Sequence, residues 1–234
     1  MPQRKVQVDQ LGEVVLAKRR GTKNLRLSVT PRGQVRVSMP YWSPYSLGLS
    51  FVVSRKKWVL EQLDHYRALP IAAGAQIGKK HRVVFQTDNM LKIAKISVKK
   101  EIIEVRSPRP ITDTDVQSKL THVVEKVLKS EAEELLTPRL ATLARQYGFR
   151  YKSLRIRKLS SRWGSCSHEG VITLNYYLIQ LPWELVDYVI IHELIHTQHL
   201  NHGPDFWRAF KQIVPDARAR QKQIKAYNPR IHVY

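Results

Sequence analysis

The stretch HELIHTQHLNHGPDFW, residues 192–207, decides how the rest of the chain is read. It places four histidines within eleven positions, and a metal centre that does chemistry needs three protein ligands and one open position. His192 and His196 are four apart, so on a helix they leave the same face one turn from each other. At that separation two imidazoles can converge on one zinc ion at about 2.0–2.1 Å. Glu193 follows the first of them and stands beside the open position, where a general base must reach a water molecule. The surrounding run LVDYVIIHELIH is apolar on nearly every side, which predicts a buried helix. Two histidines and a glutamate in such a helix need pairing or coordination to offset their desolvation. The competing reading is a pair of ordinary core histidines.

The third ligand has more than one candidate. On a straight helix His199 lies seven residues from His192, roughly 10 Å along the axis, a poor geometry for sharing one ion. The sequence LNHGP offers a way back. Asn201 tolerates a left-handed conformation, Gly203 is permissive, and Pro204 cannot continue the first helix. A chain that turns at Leu200–Asn201 brings His202 over the metal, which favours His202 over His199. Asp205 or Asp216 stands as a lesser alternative.

Upstream, SLRIRKL (153–159) alternates Leu154 and Ile156 with Arg155 and Arg157, the pattern of a half-buried strand. The loop SSRWGSCSHEG leads to a second strand, VITLN (171–175). Pro182 starts the histidine helix and Pro204 the next, whose Phe206, Trp207 and Phe210 read as core seating one helix on the other. Strand, loop, strand, helix, turn, helix suits an α+β domain. Arg162 is a candidate for an anionic substrate or a developing oxyanion, with Trp163 and Gly164 as plain loop and core. Arg155 and Arg157 are candidate phosphate or substrate contacts, or else a solvated face. Cys166 is read as inert, because three histidines and a glutamate already make a hydrolytic set. His65, His81, His122, His168 and His232 are isolated and receive no role.

RWGSCS (162–167), VITLN, HELIH and NHGPDFW together resemble the YgjP-like family of metal-dependent hydrolases, a branch of the zincin metallopeptidases akin to the SprT-like and WLM groups. The match is densest over about residues 150–215. The resemblance implies zinc ligands at His192, His196 and His202, with Glu193 as catalytic base. One departure is visible: the family usually carries Ser after the third histidine, where this chain has Gly203. Glycine caps a helix nearly as well, at a cost of a few tenths of a kcal/mol.

The N-terminal part reads as basic and β-rich. In LRLSVTPRGQVRVSMP (25–40) two period-two runs flank TPRG, a hairpin with Arg26 and Arg36 on one face and Arg32 at the tip. Ser43–Pro44 resembles an N-cap and first helical residue, opening a helix to about Tyr66. The runs HRVVFQ, LKIAKISV and EIIEV suggest an antiparallel meander packed on that hairpin. The stretch RSPRPIT serves as boundary between a domain over 1–107 and a zincin-like domain over 112–234. A long helix follows Thr112, kinked or broken at Pro138 and ended by Gly148. No internal repeat is evident.

Of 234 residues, 40 are Lys or Arg and 19 Asp or Glu, a net charge of +21. Residues 1–107 hold 21 basic and 7 acidic side chains, so most of the excess lies away from the histidines. Such a surplus favours phosphate-bearing partners, nucleic acid among them, and it is equally the mark of a merely basic solvated surface. One cysteine excludes an intrachain disulfide, and the N-terminus lacks the apolar core of a secretory signal, which together suggest a cytoplasmic protein. No run is long and apolar enough to span a bilayer. The expected chemistry is zinc-assisted hydrolysis, with another divalent ion admissible. The leading substrate is a peptide, with VITLN as an edge strand that pairs with it. The alternatives are a nucleotide phosphohydrolase using the same metal, and a DNA-associated protease or zinc-containing nucleic-acid-binding protein.

Overall fold

A computed structural model describes residues 2–30, 33–66 and 70–231. Its contacts divide the chain into two compact units, Met1–Ala68 and Leu69–Tyr234. The first contains four strands, β1 (Gln3–Val8), β2 (Gly12–Arg19), β3 (Arg26–Val29) and β4 (Val35–Pro40), ordered β1-β2-β4-β3. The expected hairpin is β3–β4, with Leu27 opposite Val37 and Val29 opposite Val35. Its turn residues Pro31 and Arg32 lie outside the described residues. Val14, Leu16, Val35, Val37 and Met39 are buried and pack with Val52 and Val59.

Those two valines belong to separate helices, α1 (Tyr45–Ser54) and α2 (Lys56–Tyr66), where the sequence suggested one. Ser54 Oγ donates to the Phe51 carbonyl and the Arg55 N–H bonds to Val52, so the last turn tightens and the helix stops. Ser43 does not cap α1; Pro44, extended, takes that position.

In the second unit β5 (Gln76–Ile77), β6 (His81–Thr87), β7 (Lys95–Lys99) and β8 (Ile102–Ser107) are ordered β5-β6-β8-β7. The antiparallel meander expected here is corrected: β6 and β8 run parallel, and the chain reaches β8 by way of the edge strand β7. The sheet packs on a helix of its own unit. Its apolar residues Ile77, Val83, Ile103 and Val105 share a core with Val116, Leu120, Val124 and Leu128 of α3 (Thr114–Gln146). The Gln117 amide clasps the backbone of Ile71 in both directions and donates to Ile111, tying the start and end of this segment to the helix. The contacts therefore divide near residue 68 and not at RSPRPIT. Both four-stranded sheets share one strand order and one pattern of pairing, a repeat of topology that the residues do not display.

Asp113 caps α3 by accepting from the N–H groups of Asp115 and Val116. The helix continues through Pro138 and ends at Gly148, whose φ of 71° suits a residue without Cβ. A third sheet follows, from β9 (Ser153–Arg157), β10 (Gly164–Cys166) and β11 (Val171–Asn175), ordered β10-β11-β9. VITLN is thus the central strand, parallel to β9 and antiparallel to β10, which are the two edges. A 3-10 turn, Tyr176–Gln180, leads to α4 (Trp183–Ile195), α5 (Pro204–Ile213) and α6 (Ala217–Ile224). The fold is mixed α+β, with three small sheets. Among the described residues no helix is long and apolar enough to cross a membrane.

Buried Glu131 of α3 accepts from the Lys79 backbone N–H and lies 2.9 Å from His81 Nδ1, which accounts for that otherwise isolated histidine. Gly78 has φ of 63°, and a Cβ there would come within 2.7 Å of both Glu131 carboxylate oxygens. Gly78→Ala is therefore expected to cost about 2–3 kcal/mol in urea unfolding. A change below 0.5 kcal/mol would show that the contact relaxes freely.

Candidate metal centre

Helix α4 owes its burial to Leu185, Val186, Val189, Ile190, Leu194 and Ile195, which surround it with core. It ends sooner than the sequence suggested: Ile195 is its last residue, and His196 takes the C-cap position. The chain then turns through Thr197–Gln198, and Gly203 and Pro204 start α5 as expected, with Gly203 at the N-cap. That double turn returns His202 to the end of α4.

The three Nε2 atoms form a triangle: 3.2 Å between His192 and His196, 3.2 Å between His196 and His202, and 3.0 Å between His202 and His192. Tetrahedral nitrogens 2.0–2.1 Å from one ion stand ~3.3 Å apart, so the triangle matches one face of such a site. Protonation fits as well. His196 Nδ1 is 2.9 Å from the His199 carbonyl, an obligate acceptor, so Nδ1 carries the hydrogen and Nε2 offers its lone pair. His199 thus meets the cluster through its backbone, and its imidazole is not among the three that converge. Burial, then the nearness of His196 and His202, lowers the His192 pKa to about 3, and burial lowers that of His196. Neutral imidazoles are the form that binds a metal. The acidic alternatives are engaged elsewhere, Asp205 with Arg208 and Asp216 with Arg220.

Phe206, fully buried, touches all three imidazoles, with ring centroids 4.7–5.0 Å away. The aromatic residues of α5 are core, as the sequence suggested, but Phe206 is also the floor on which the histidines are oriented. Phe206→Ala should cost about 3–5 kcal/mol in stability. The loosened triad should bind zinc 10- to 100-fold more weakly, as when other outer-shell support is lost. Competition against a chromophoric chelator measures the latter.

Glu193 is buried, 6% exposed. Burial pushes its pKa up to about 8, against the pull of the Arg162 guanidinium. In metal-stripped protein the folded chain therefore holds a proton that the unfolded chain releases near 4.5, and stability falls as pH rises through that window. His192 has the opposite sign: its pKa drops from 6.5 to about 3, so stability rises with pH between those values. The two offset each other between about pH 4.5 and 6.5, and below 4.5 only the His192 contribution remains. From pH 6.5 to about 8 Glu193 alone should remove about 2 kcal/mol. Thermal melts in chelator should show this decline in the wild type and not in Glu193→Gln.

Glu193 and His192 share a cavity of about 290 Å³ with Arg162, Trp163, Gly164 and Lys225. Gly164 is there by necessity, since a Cβ would lie 2.8 Å from both Cγ and Oε1 of Glu193. The loop before it is fixed by buried Asn175, whose side chain donates to the carbonyls of Leu159 and Arg162. Arg162 is thus brought to the site. Arg155 and Arg157 are not: Leu154 and Ile156 face the core, so the arginines project from the opposite face of the sheet. Alternation revealed two faces but not which one met the metal helix. Cys166 is raised by burial and by Glu193, and its Sγ donates to the Ser167 carbonyl, which suits an unreactive thiol. The roles of Gly164, Asn175 and Phe206 at the site escaped the sequence reading, which took Gly164 as loop and Phe206 as core, because glycine, asparagine and phenylalanine have many commoner uses. Nothing in ARARQKQIK marked α6 as a wall of the cavity.

A buried HExxH helix whose two histidines meet a third across a turn places the chain in the class of HExxH metalloproteins. More narrowly, it belongs to the YgjP-like family: residues 23–227 match the model of the YgjP-like metallopeptidase domain. Among solved structures, the metallopeptidase zymogen of Pyrococcus abyssi abylysin is 27% identical over 38% of this chain and 91% of that one, with a TM-score of 0.36. No curated protein matches.

Proposed function

We propose that the protein is a zinc-dependent peptidase of the zincin type, with His192, His196 and His202 as metal ligands and Glu193 as general base. The observation that carries this reading is the Nε2 triangle with a buried carboxylate in the adjoining cavity. A divalent ion held there supplies Lewis acidity, acidifying water and polarising the carbonyl to be attacked. Glu193 takes the proton from the attacking water and hands it to the departing amine. Gly164 leaves the room this carboxylate needs, and Arg162 offsets its charge. The free edge of β10 gives an extended peptide backbone a partner beside the cavity. The single cysteine supports a cytoplasmic setting.

Zinc-loaded protein incubated with unfolded proteins and a peptide mixture should release fragments detectable by mass spectrometry, and chelator or His202→Ala should abolish the release. Nucleoside triphosphates run in parallel decide the alternative. Phosphate or pyrophosphate release that depends on the same residues, without peptide cleavage, would replace the peptidase with a phosphohydrolase.

A separate feature supports nucleic-acid association by the first unit, which has 13 basic and 4 acidic residues. The Arg20 guanidinium lies over the Tyr41 ring at 5.6 Å, Lys18 lies over Tyr45 at 4.7 Å, and Trp42 is 77% exposed. Cations interleaved with rings suit stacked single-stranded bases. Labelled oligonucleotides should bind with a steep salt dependence and lose affinity on Trp42→Ala; binding unchanged by both salt and the substitution would dismiss this role.

A further inference from the structure

The cavity beside the three histidines has a composition that general peptide hydrolysis does not require. Its walls include Trp163, Val189 and Ile224, which are apolar, and its two cations come from different elements, Arg162 from the loop before β10 and Lys225 from the end of α6. Glu193 is its one carboxylate. Among the described residues no carboxylate lies within ion-pair distance of Arg162 or Lys225. Two nearby cations are paired, Arg139 with Asp187 and Arg220 with Asp216. Arg220 also donates to the Glu184 carbonyl, so α6 is fastened to the first turn of α4 and its C-terminal end is held against the cavity.

Two cations without a salt-bridge partner over an apolar lining, Arg162 acting on Glu193 only from beyond ion-pair distance, fit a guest with a short apolar stem and an anionic head. At about 290 Å³ the space is at the lower end of ligand pockets, sized for one side chain more than for a whole nucleotide. We propose that this cavity is a specificity pocket for an acidic residue of the substrate, with Arg162 and Lys225 receiving its carboxylate and Ile224 and Trp163 packing on its methylene groups. The inference rests on the peptidase reading for the identity of the guest as a peptide residue. Lys225 is the specificity-determining residue that can be varied freely, since it lies outside the proton-transfer set.

The test uses full-length, zinc-loaded Glu193→Gln protein and fluorescein-labelled peptides identical except for Glu, Gln or Lys at one fixed position flanked by randomised residues. Polarisation should give about ten-fold tighter binding of the Glu peptides than of the Gln peptides, the size of one hydrogen bond to a charged group. Adding Lys225→Ala should erase most of that preference, and adding Lys225→Glu should reverse it in favour of Lys peptides. With an active chain carrying Lys225→Glu, cleavage sites mapped by mass spectrometry should shift from acidic toward basic residues. Equal binding of the three peptides would overturn the proposal, as would a preference that Lys225→Glu leaves intact. So would displacement of the label by nucleoside triphosphates at concentrations where acidic peptides fail to displace it. Acid-selective binding without any cleavage would remove the peptidase reading and leave an anion pocket; cleavage without acid selectivity would do the reverse.

Discussion

Glu193→Gln should bind one zinc per chain and turn over peptide substrate 10²- to 10⁴-fold more slowly, the range expected when a positioned general base is removed. Glutamine keeps the size of the side chain and its place in the buried helix, so neither the fold nor the Nε2 triangle has reason to change. What is lost is the cavity's one carboxylate, the group proposed to accept and return the proton. The same carboxyl is held neutral up to about pH 8 by burial in the absence of an ion, and a bound cation beside it must lower that value for it to act as a base. The loss should fall on kcat with KM nearly unchanged, because the group assists the transition state and not substrate binding. Metal analysis and steady-state kinetics on the same preparation check both halves. Activity within three-fold of wild type at full zinc occupancy would sink the assignment.

Gly164→Ala is expected to reduce kcat/KM by about 100-fold, the cost of misplacing a catalytic group by an ångström or so. The added Cβ would stand 2.8 Å from Glu193 Cγ and Oε1 and 3.0 Å from Cδ, closer than real carbon contacts allow. The backbone of Gly164 is not left-handed, so alanine itself is not strained there. Either the carboxylate swings away or the edge strand β10 moves out; both separate Glu193 from its task. Zinc content should stay at one per chain, and Ser165→Ala, on the opposite face of the strand, should leave turnover unchanged. Wild-type activity in Gly164→Ala would mean that Glu193 tolerates displacement and that its present position is not the productive one.

The histidines and glutamate of the site, the helix that carries them and the turn that brings in His202 were legible in sixteen consecutive residues. Helical periodicity puts His192, Glu193 and His196 at fixed angles and heights, whatever packs around them. Asn201, Gly203 and Pro204 limit where the chain can go next, so the return of His202 was a local matter as well. The hairpin at β3–β4 and the end of α3 at Gly148 were local in the same sense. Even there the sequence erred by a few residues, since the end of α4 and the break at Arg55 depend on a few local hydrogen bonds that compete with the helix.

Long-range pairing was not legible. Runs such as HRVVFQ and EIIEV announce strands but not that they lie side by side in parallel, because β6 and β8 are chosen for each other by the apolar face they jointly bury on α3. The same holds for Arg155 and Arg157: alternation fixed that they share a face, and only the packing of Leu154 and Ile156 into the core turned that face away from the histidines. Lys225 lies twenty-three residues beyond His202 in an unremarkable polar helix, and it enters the cavity because Arg220 pins α6 to the start of α4. Sequence by itself determined that His192, Glu193 and His196 share one helical turn and that His202 can return to them, through backbone geometry that acts over a few residues. Tertiary structure alone decided what surrounds them, because that depends on which distant surfaces exclude water together.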